Sequence, residues 1–281
     1  MSSFDKHCFL LLLLLTSNAL AGEGYVLGGG LEADTEDGLA LSAIGDFGLA
    51  EDTRVSGAIA RNMADLQFRP DIDTWYADVG LDHWWDPVGI RLGLAYWGDN
   101  DTLDSTDVRT SLYWRGESFR IAGDYEFRDF SFLLPATDQF PGRTIGFDAN
   151  GIGVTARFDI TDTVTFGLSG MDYDYSVNLR LADNRRLLDL LSFSRLSLIN
   201  SLIDYRAYAT LGVDVGKRRW QLDVGTWKGE ADGGTTQSAT VRYLSPLSET
   251  ADLEFALGAD DSDLYGTVTF FSMFLYFYGG V

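Results

Sequence analysis

From Gly24 onward apolar and polar residues alternate one for one, the period of a β-strand with two unlike faces. Ile90, Leu92, Leu94 and Tyr96 share one face of such a run, and Arg91, Gly93, Ala95 and Trp97 share the other. The pattern recurs with Phe119, Ile121, Tyr125 and Phe127 against Arg120, Ala122, Asp124, Glu126 and Arg128. It recurs again with Val79 and Leu81 against Asp78 and Asp82, and with Ile152, Val154, Ala156 and Phe158 against Thr155 and Arg157. Later runs set Ala207, Ala209, Leu211 and Val213 against Arg206, Tyr208, Thr210 and Asp214, and Leu253, Phe255 and Leu257 against Asp252 and Glu254. About fourteen runs are expected, beginning near Tyr25, Leu39, Arg54, Thr74, Gly89, Val108, Phe119, Thr144, Thr163, Tyr205, Trp220, Thr235, Ala251 and Leu264.

The connections alternate as well. Short ones are Glu51-Asp52-Thr53, Asp86-Pro87, Arg115 to Ser118, Asp159 to Asp162, Gly216-Lys217-Arg218 and Ser245 to Ser248. Long or variable ones run from Asn62 to Asp73, Gly98 to Asp107, Asp129 to Arg143 and Val177 to Asp204. An even number of strands with tight turns on one side and longer loops on the other predicts an all-β fold, a closed antiparallel transmembrane barrel of about 14 strands, within 12 to 16. Closure is required because an unpaired backbone edge cannot face lipid. The apolar rows then face lipid, and Trp84, Trp85, Trp114, Phe158, Trp220 and Tyr243 at the short-turn ends form an interfacial girdle. A soluble sandwich or propeller would alternate in the same way. A small barrel, however, has too little interior for the aromatic residues that every strand carries, which favours an apolar exterior.

The N-terminus changes the picture from barrel to exported barrel. Lys6 precedes the apolar stretch Phe9–Leu15 and the small-x-small site Ala19-Leu20-Ala21, the layout of a signal peptide over residues 1–21 cleaved before Gly22. The apolar stretch is far shorter than the ~20 residues of a spanning helix. Residues 22–281 are then one domain without cysteine, since Cys8 leaves with the peptide. Asp5 and Lys6 leave together, so the net charge stays at -21, which excludes nucleic acid as a partner. With 46% hydrophobic residues but a mean hydropathy close to zero, and 31 Gly against 5 Pro, the composition suits many strands and tight turns rather than a helical membrane protein.

On these features the chain resembles the bacterial outer-membrane β-barrel superfamily, and within it the small porin-like barrels of Gram-negative cells. The resemblance implies a location in the cell outer membrane, assembly by the barrel-assembly machinery, and contact with outer-membrane lipid and lipopolysaccharide. Such barrels usually end on an aromatic residue. Here Phe270–Tyr278 is followed by Gly279-Gly280-Val281, which leaves the register of the last strand open.

Candidate chemistry lies on the inward phase. Arg91, Arg109, Arg120, Arg128, Arg157, Arg206 and Arg242 fall on it, as do Asp46, Asp78, Asp82, Asp124, Glu126, Asp148, Asp214, Asp223, Asp252 and Glu254. The expected pore-lining set is Arg91, Arg109, Arg120, Arg128, Arg157, Arg206, Asp78, Asp124 and Glu126. Guanidinium forks pair with carboxylates and set up a transverse field that selects small hydrophilic solutes in passive transport. The surplus of carboxylates leans toward mild cation preference. The alternative is a plugged structural or surface-interaction barrel without conductance, its wall held by the same ion pairs. An outer-membrane lipid-modifying enzyme is a weaker reading, because the mature chain has a single histidine, His83, beside the Asp86-Pro87 turn. No cofactor and no metal site are expected: Asp99, Asp101, Asp104 and Asp107, and Asp260, Asp261 and Asp263, match no calcium-loop spacing. Leu187, Leu190, Leu191, Leu198 and Leu202 recur at roughly helical spacing, so residues 184–204 are expected to constrict the lumen, cap it, or extend a hairpin.

Overall fold

The computed structural model describes residues 24–64, 72–99, 103–134, 143–176 and 202–280. The expected signal peptide, and residues 184–201 of the expected helical segment, lie outside the described residues. Fourteen antiparallel strands follow in chain order: β1 Tyr25–Asp34, β2 Gly38–Ala50, β3 Thr53–Ala64, β4 Ile72–Trp85, β5 Val88–Gly98, β6 Leu103–Arg115 and β7 Phe119–Leu134. They continue as β8 Arg143–Thr161, β9 Val164–Tyr175, β10 Ile203–Val215, β11 Arg218–Gly229, β12 Thr235–Pro246, β13 Ala251–Ser262 and β14 Gly266–Gly279. Each pairs with its neighbours in sequence, and β1 pairs with β14 from Tyr25↔Gly279 to Asp34↔Phe270, closing the barrel. No described helix is long and apolar enough to cross a membrane.

Alternation fixes which side chain faces which way. Leu92, Leu94, Ile121, Ile152, Val154 and Leu257 are exposed on the barrel exterior. Ile90, Phe119 and Leu253 share that phase through their register partners His83, Phe158 and Ser245 on neighbouring strands. Trp85, Trp114 and Trp220 stand exposed near the short turns, and the Trp220 ring lies 4.6 Å from that of Tyr243. Trp84 departs from the expected girdle: it faces inward and lines a cavity. The turns at Glu51-Asp52 and Asp86-Pro87 share one rim with the start of β1 and the end of β14. We call this the short-turn rim.

Two readings need correction. Asp148 points outward, not into the lumen: it pairs with Asp129 across β7 and β8, while the next pair, Phe130↔Phe147, stacks inside with ring centroids 4.8 Å apart. Aromatic residues also populate the interior freely, because a barrel of this width has the room an eight-stranded one lacks. On β14 the two faces are Phe271, Met273, Leu275 and Phe277 outside, and Phe270, Phe274, Tyr276 and Tyr278 inside. Glycines receive the inner rings. A Cβ at Gly30 would come within 2.1 Å of the Phe274 ring, and one at Gly258 within 2.2 Å of Phe270. Strand β6 begins at Leu103, five residues before its apolar pattern does, because its outer end carries polar residues on both faces.

Candidate functional site: the charged lumen

The lumen is built in layers. Near the long-loop rim Leu103, Phe130, Phe147, Ala149, Leu202 and Ala231 form a buried apolar cluster, with Trp97, Phe132 and Tyr175 packed against it. Leu202 and Ala231 come from connections, not strands, so this end is partly filled from above. The Tyr175 hydroxyl donates to the Ile203 carbonyl at 2.9 Å, and the Glu230 amide donates to the Leu202 carbonyl at 2.7 Å, which ties the connections to the wall.

Directly beneath the cluster lies a buried charge layer. Its hub is Glu126, 3% exposed, with three guanidinium groups around it: Arg109 at 3.4 Å, Arg128 at 3.7 Å and Arg206 at 3.2 Å. The Tyr173 hydroxyl donates to the same carboxylate at 2.9 Å. Asp107, 1% exposed, accepts from Arg109 and Arg128, each at 3.3 Å, and from the Ser105 hydroxyl. Arg109 also donates to the Tyr76 hydroxyl at 3.0 Å, and the Tyr76 hydroxyl in turn donates to Asp78. Charges this deep persist only when paired and hydrogen-bonded. The Arg128 guanidinium lies 4.7 Å from the Phe130 ring centroid and is 9% exposed, so this expected pore-lining residue braces the wall.

Below the charge layer the lumen opens. A cavity of 650 Å³ is lined by Tyr76, Asp78, Arg91, Arg109, Ser111, Asp124, Glu126, Thr155, Ser169, Arg206 and Tyr208, among others. Asp124 accepts from the Thr155 hydroxyl at 2.7 Å. A second cavity of 490 Å³ continues toward the short-turn rim, bounded by Asp46, Arg54, Asp82, Trp84, Arg91, Tyr113, Arg115 and Arg120, and it shares Ser56 and Arg91 with the first. A third, of 300 Å³, holds Arg157, Thr165, Thr210, Arg219 and Gln221, and meets the first at Thr155, Ser169 and Tyr208. All nine expected lining residues face inward, and all but Arg128 border one of these three cavities.

The opposite wall carries ion pairs of its own. Arg242 bridges Asp223 at 2.7 Å and Glu254 at 3.4 Å, and Tyr278 donates to Asp252 at 3.0 Å. The inward Phe270, Phe274 and Tyr276 occupy the rest of β14. Sequence reasoning missed Arg54, Arg115 and Arg219 as interior groups. They sit at strand ends, where the turns interrupt alternation, yet each is in phase with its strand: Arg54 with Ser56, Arg115 with Tyr113, Arg219 with Gln221. His83 is far from this chemistry. It faces outward at the short-turn rim, its Nδ1 2.7 Å from the Thr53 hydroxyl and its ring edge-on to Trp85 at 4.3 Å. Among the described residues no group of acidic, histidine or cysteine side chains has metal-site geometry.

Neither the protein-family models nor the curated proteins contain a match to this sequence. Solved structures do match in shape. The CymD monoaromatic hydrocarbon channel superposes with a TM-score of 0.58 at 8% identity, over 96% of this chain and 92% of that one. A Pseudomonas aeruginosa FadL homologue superposes with a TM-score of 0.51 at 7% identity, over 90% and 89%. At such identities the likeness is one of fold, and it agrees with the closed topology, the apolar exterior and the polar lumen: the chain shares the closed β-barrel fold of these structures.

Proposed function

We propose that the barrel is a passive channel for small hydrophilic solutes in the outer membrane. One observation carries the reading: below the Glu126 layer the interior is hollow, with three cavities that share lining residues and are bordered by guanidinium and carboxylate groups. A fold relative is itself described as a channel, for monoaromatic hydrocarbons, but fold analogy alone does not transfer function. The lumen here is lined by guanidinium and carboxylate groups, a surface for hydrophilic cargo. Catalysis has no place in this reading, since His83 lies outside the cavities with its Nδ1 engaged by Thr53. Lipopolysaccharide belongs to it as a neighbour, with the outward Asp129 and Asp148 beyond the apolar band able to share divalent cations with lipid phosphates. The barrel-assembly machinery is the expected route of insertion.

The apolar cluster supports a second reading, a barrel plugged at its outer end. Planar-bilayer recording separates the two. The channel reading expects small ohmic steps from the purified chain, and larger ones when Phe130 and Phe147 are both replaced by Ala. Silence from both proteins would overturn it in favour of the plug.

A further inference from the structure

Charge is unevenly distributed inside this acidic chain. In the 650 Å³ cavity Arg91, Arg109 and Arg206 face Asp78, Asp124 and Glu126, an even balance. The 490 Å³ cavity at the short-turn rim is different: with Arg91 shared between the two, four arginines border it and only two carboxylates, Asp46 and Asp82. Asp46 pairs with Arg54. Asp82 serves two arginines, Arg91 at 2.7 Å and Arg120 at 3.5 Å, and has a third partner in the Tyr113 hydroxyl, which donates to it at 2.6 Å. Arg115, the fourth, is exposed and has no carboxylate partner among the described residues.

These arginines are poised for a ligand. The Arg120 guanidinium lies 3.6 Å from the Tyr113 ring centroid, and only its Nη2 is engaged by Asp82, at the long distance of 3.5 Å. Arg91 keeps half of its side chain exposed after pairing. Each guanidinium offers five N–H donors, and the two acids use only a few of them. Trp84 adds a broad ring to the same cavity. Forked donors beside aromatic surface suit a planar carboxylate, which accepts two parallel hydrogen bonds while its body lies against a ring. The volume is in the range of small-ligand sites.

We propose that this cavity is a selective site for small organic anions, planar carboxylates foremost, at the inner mouth of the barrel. The proposal names the solute class for the channel and rests on that reading. It also reverses the ion preference expected from net charge: much of the acidic surplus lies outside this cavity, and the cavity itself carries arginine.

Benzoate is the probe, with benzamide as its neutral isostere. Titration of the refolded full chain in detergent, by calorimetry and tryptophan fluorescence, should show benzoate binding, little benzamide binding, and weakening with salt as screening grows. Arg115→Gln has no ion pair to lose and should fold like the parent, yet weaken benzoate about tenfold, while Arg115→Lys restores part of the affinity. A Trp84→Phe protein should bind benzoate with a smaller fluorescence change. In bilayers under a potassium chloride gradient the parent should prefer anions, and Arg91→Gln/Arg120→Gln should shift the reversal potential toward cations. Equal binding of benzoate and benzamide, or undiminished binding by Arg115→Gln, would overturn the proposal. Benzoate binding without conductance would keep the anion site and remove the channel reading; conductance without benzoate binding would do the reverse.

Discussion

Arg91 and Leu92 are neighbours in the chain and opposites in environment. One joins the lumen ion pairs, and the other stands 43% exposed on the exterior. Arginine at Leu92, mid-strand on β5, would stand in hydrocarbon and should cost roughly 2 to 4 kcal/mol, read as a lower urea midpoint for refolding into vesicles. Arginine at the inward Ser111, which borders the large cavity, should cost far less. Burial rather than phase governs Arg128. Its side chain is 9% exposed beside Asp107 and Glu126, at 2% and 4%, so Arg128→Ala leaves buried carboxylates short of a partner. That variant should lose about 3 kcal/mol in the same assay, whereas Arg115→Ala should be nearly neutral.

Among the elements, β14 departs furthest from simple alternation. Nine residues without a charge, Phe270–Tyr278, conceal the register that decides which rings enter the barrel. The glycines opposite settle it, since only Gly28, Gly30 and Gly258 leave room for Phe270 and Phe274. Valine at Gly30 should weaken closure by about 1 to 3 kcal/mol of overpacking, and Phe274→Ala in the same chain should relieve it. Heat-modifiable mobility on gels would report both. The contrast marks what was legible in the sequence. Strand number, turn sides and the phase of Arg91, Arg109, Arg120 and Arg206 follow from local alternation, and the structure agrees. The buried hub at Glu126 did not, because its partners come from β6, β7, β9 and β10 and meet only after the sheet curls. The outer ends of β7 and β8 also escaped. At 16 and 19 residues they outrun the 9 to 11 a membrane strand needs, so their exteriors turn polar while the ladder continues.

At the scale of the whole molecule, the barrel is narrowed on one side and open on the other. The apolar cluster and charge layer sit toward the long-loop rim, and the cavities toward the short-turn rim. Removing rings from the cluster should therefore raise conductance more than removing Trp84 does, which paired recordings of Phe130→Ala/Phe147→Ala and Trp84→Ala would measure. The uncharged run of β14 has a further consequence. Elsewhere charged residues interrupt the apolar rows at short intervals, so the unfolded chain stays wettable along most of its length. In β14 both faces are sticky, and water shelters neither until β1 and β13 zip against it. Before that seam forms, this one strand is where copies of the chain would adhere to each other, and where a holdase would have most to hide.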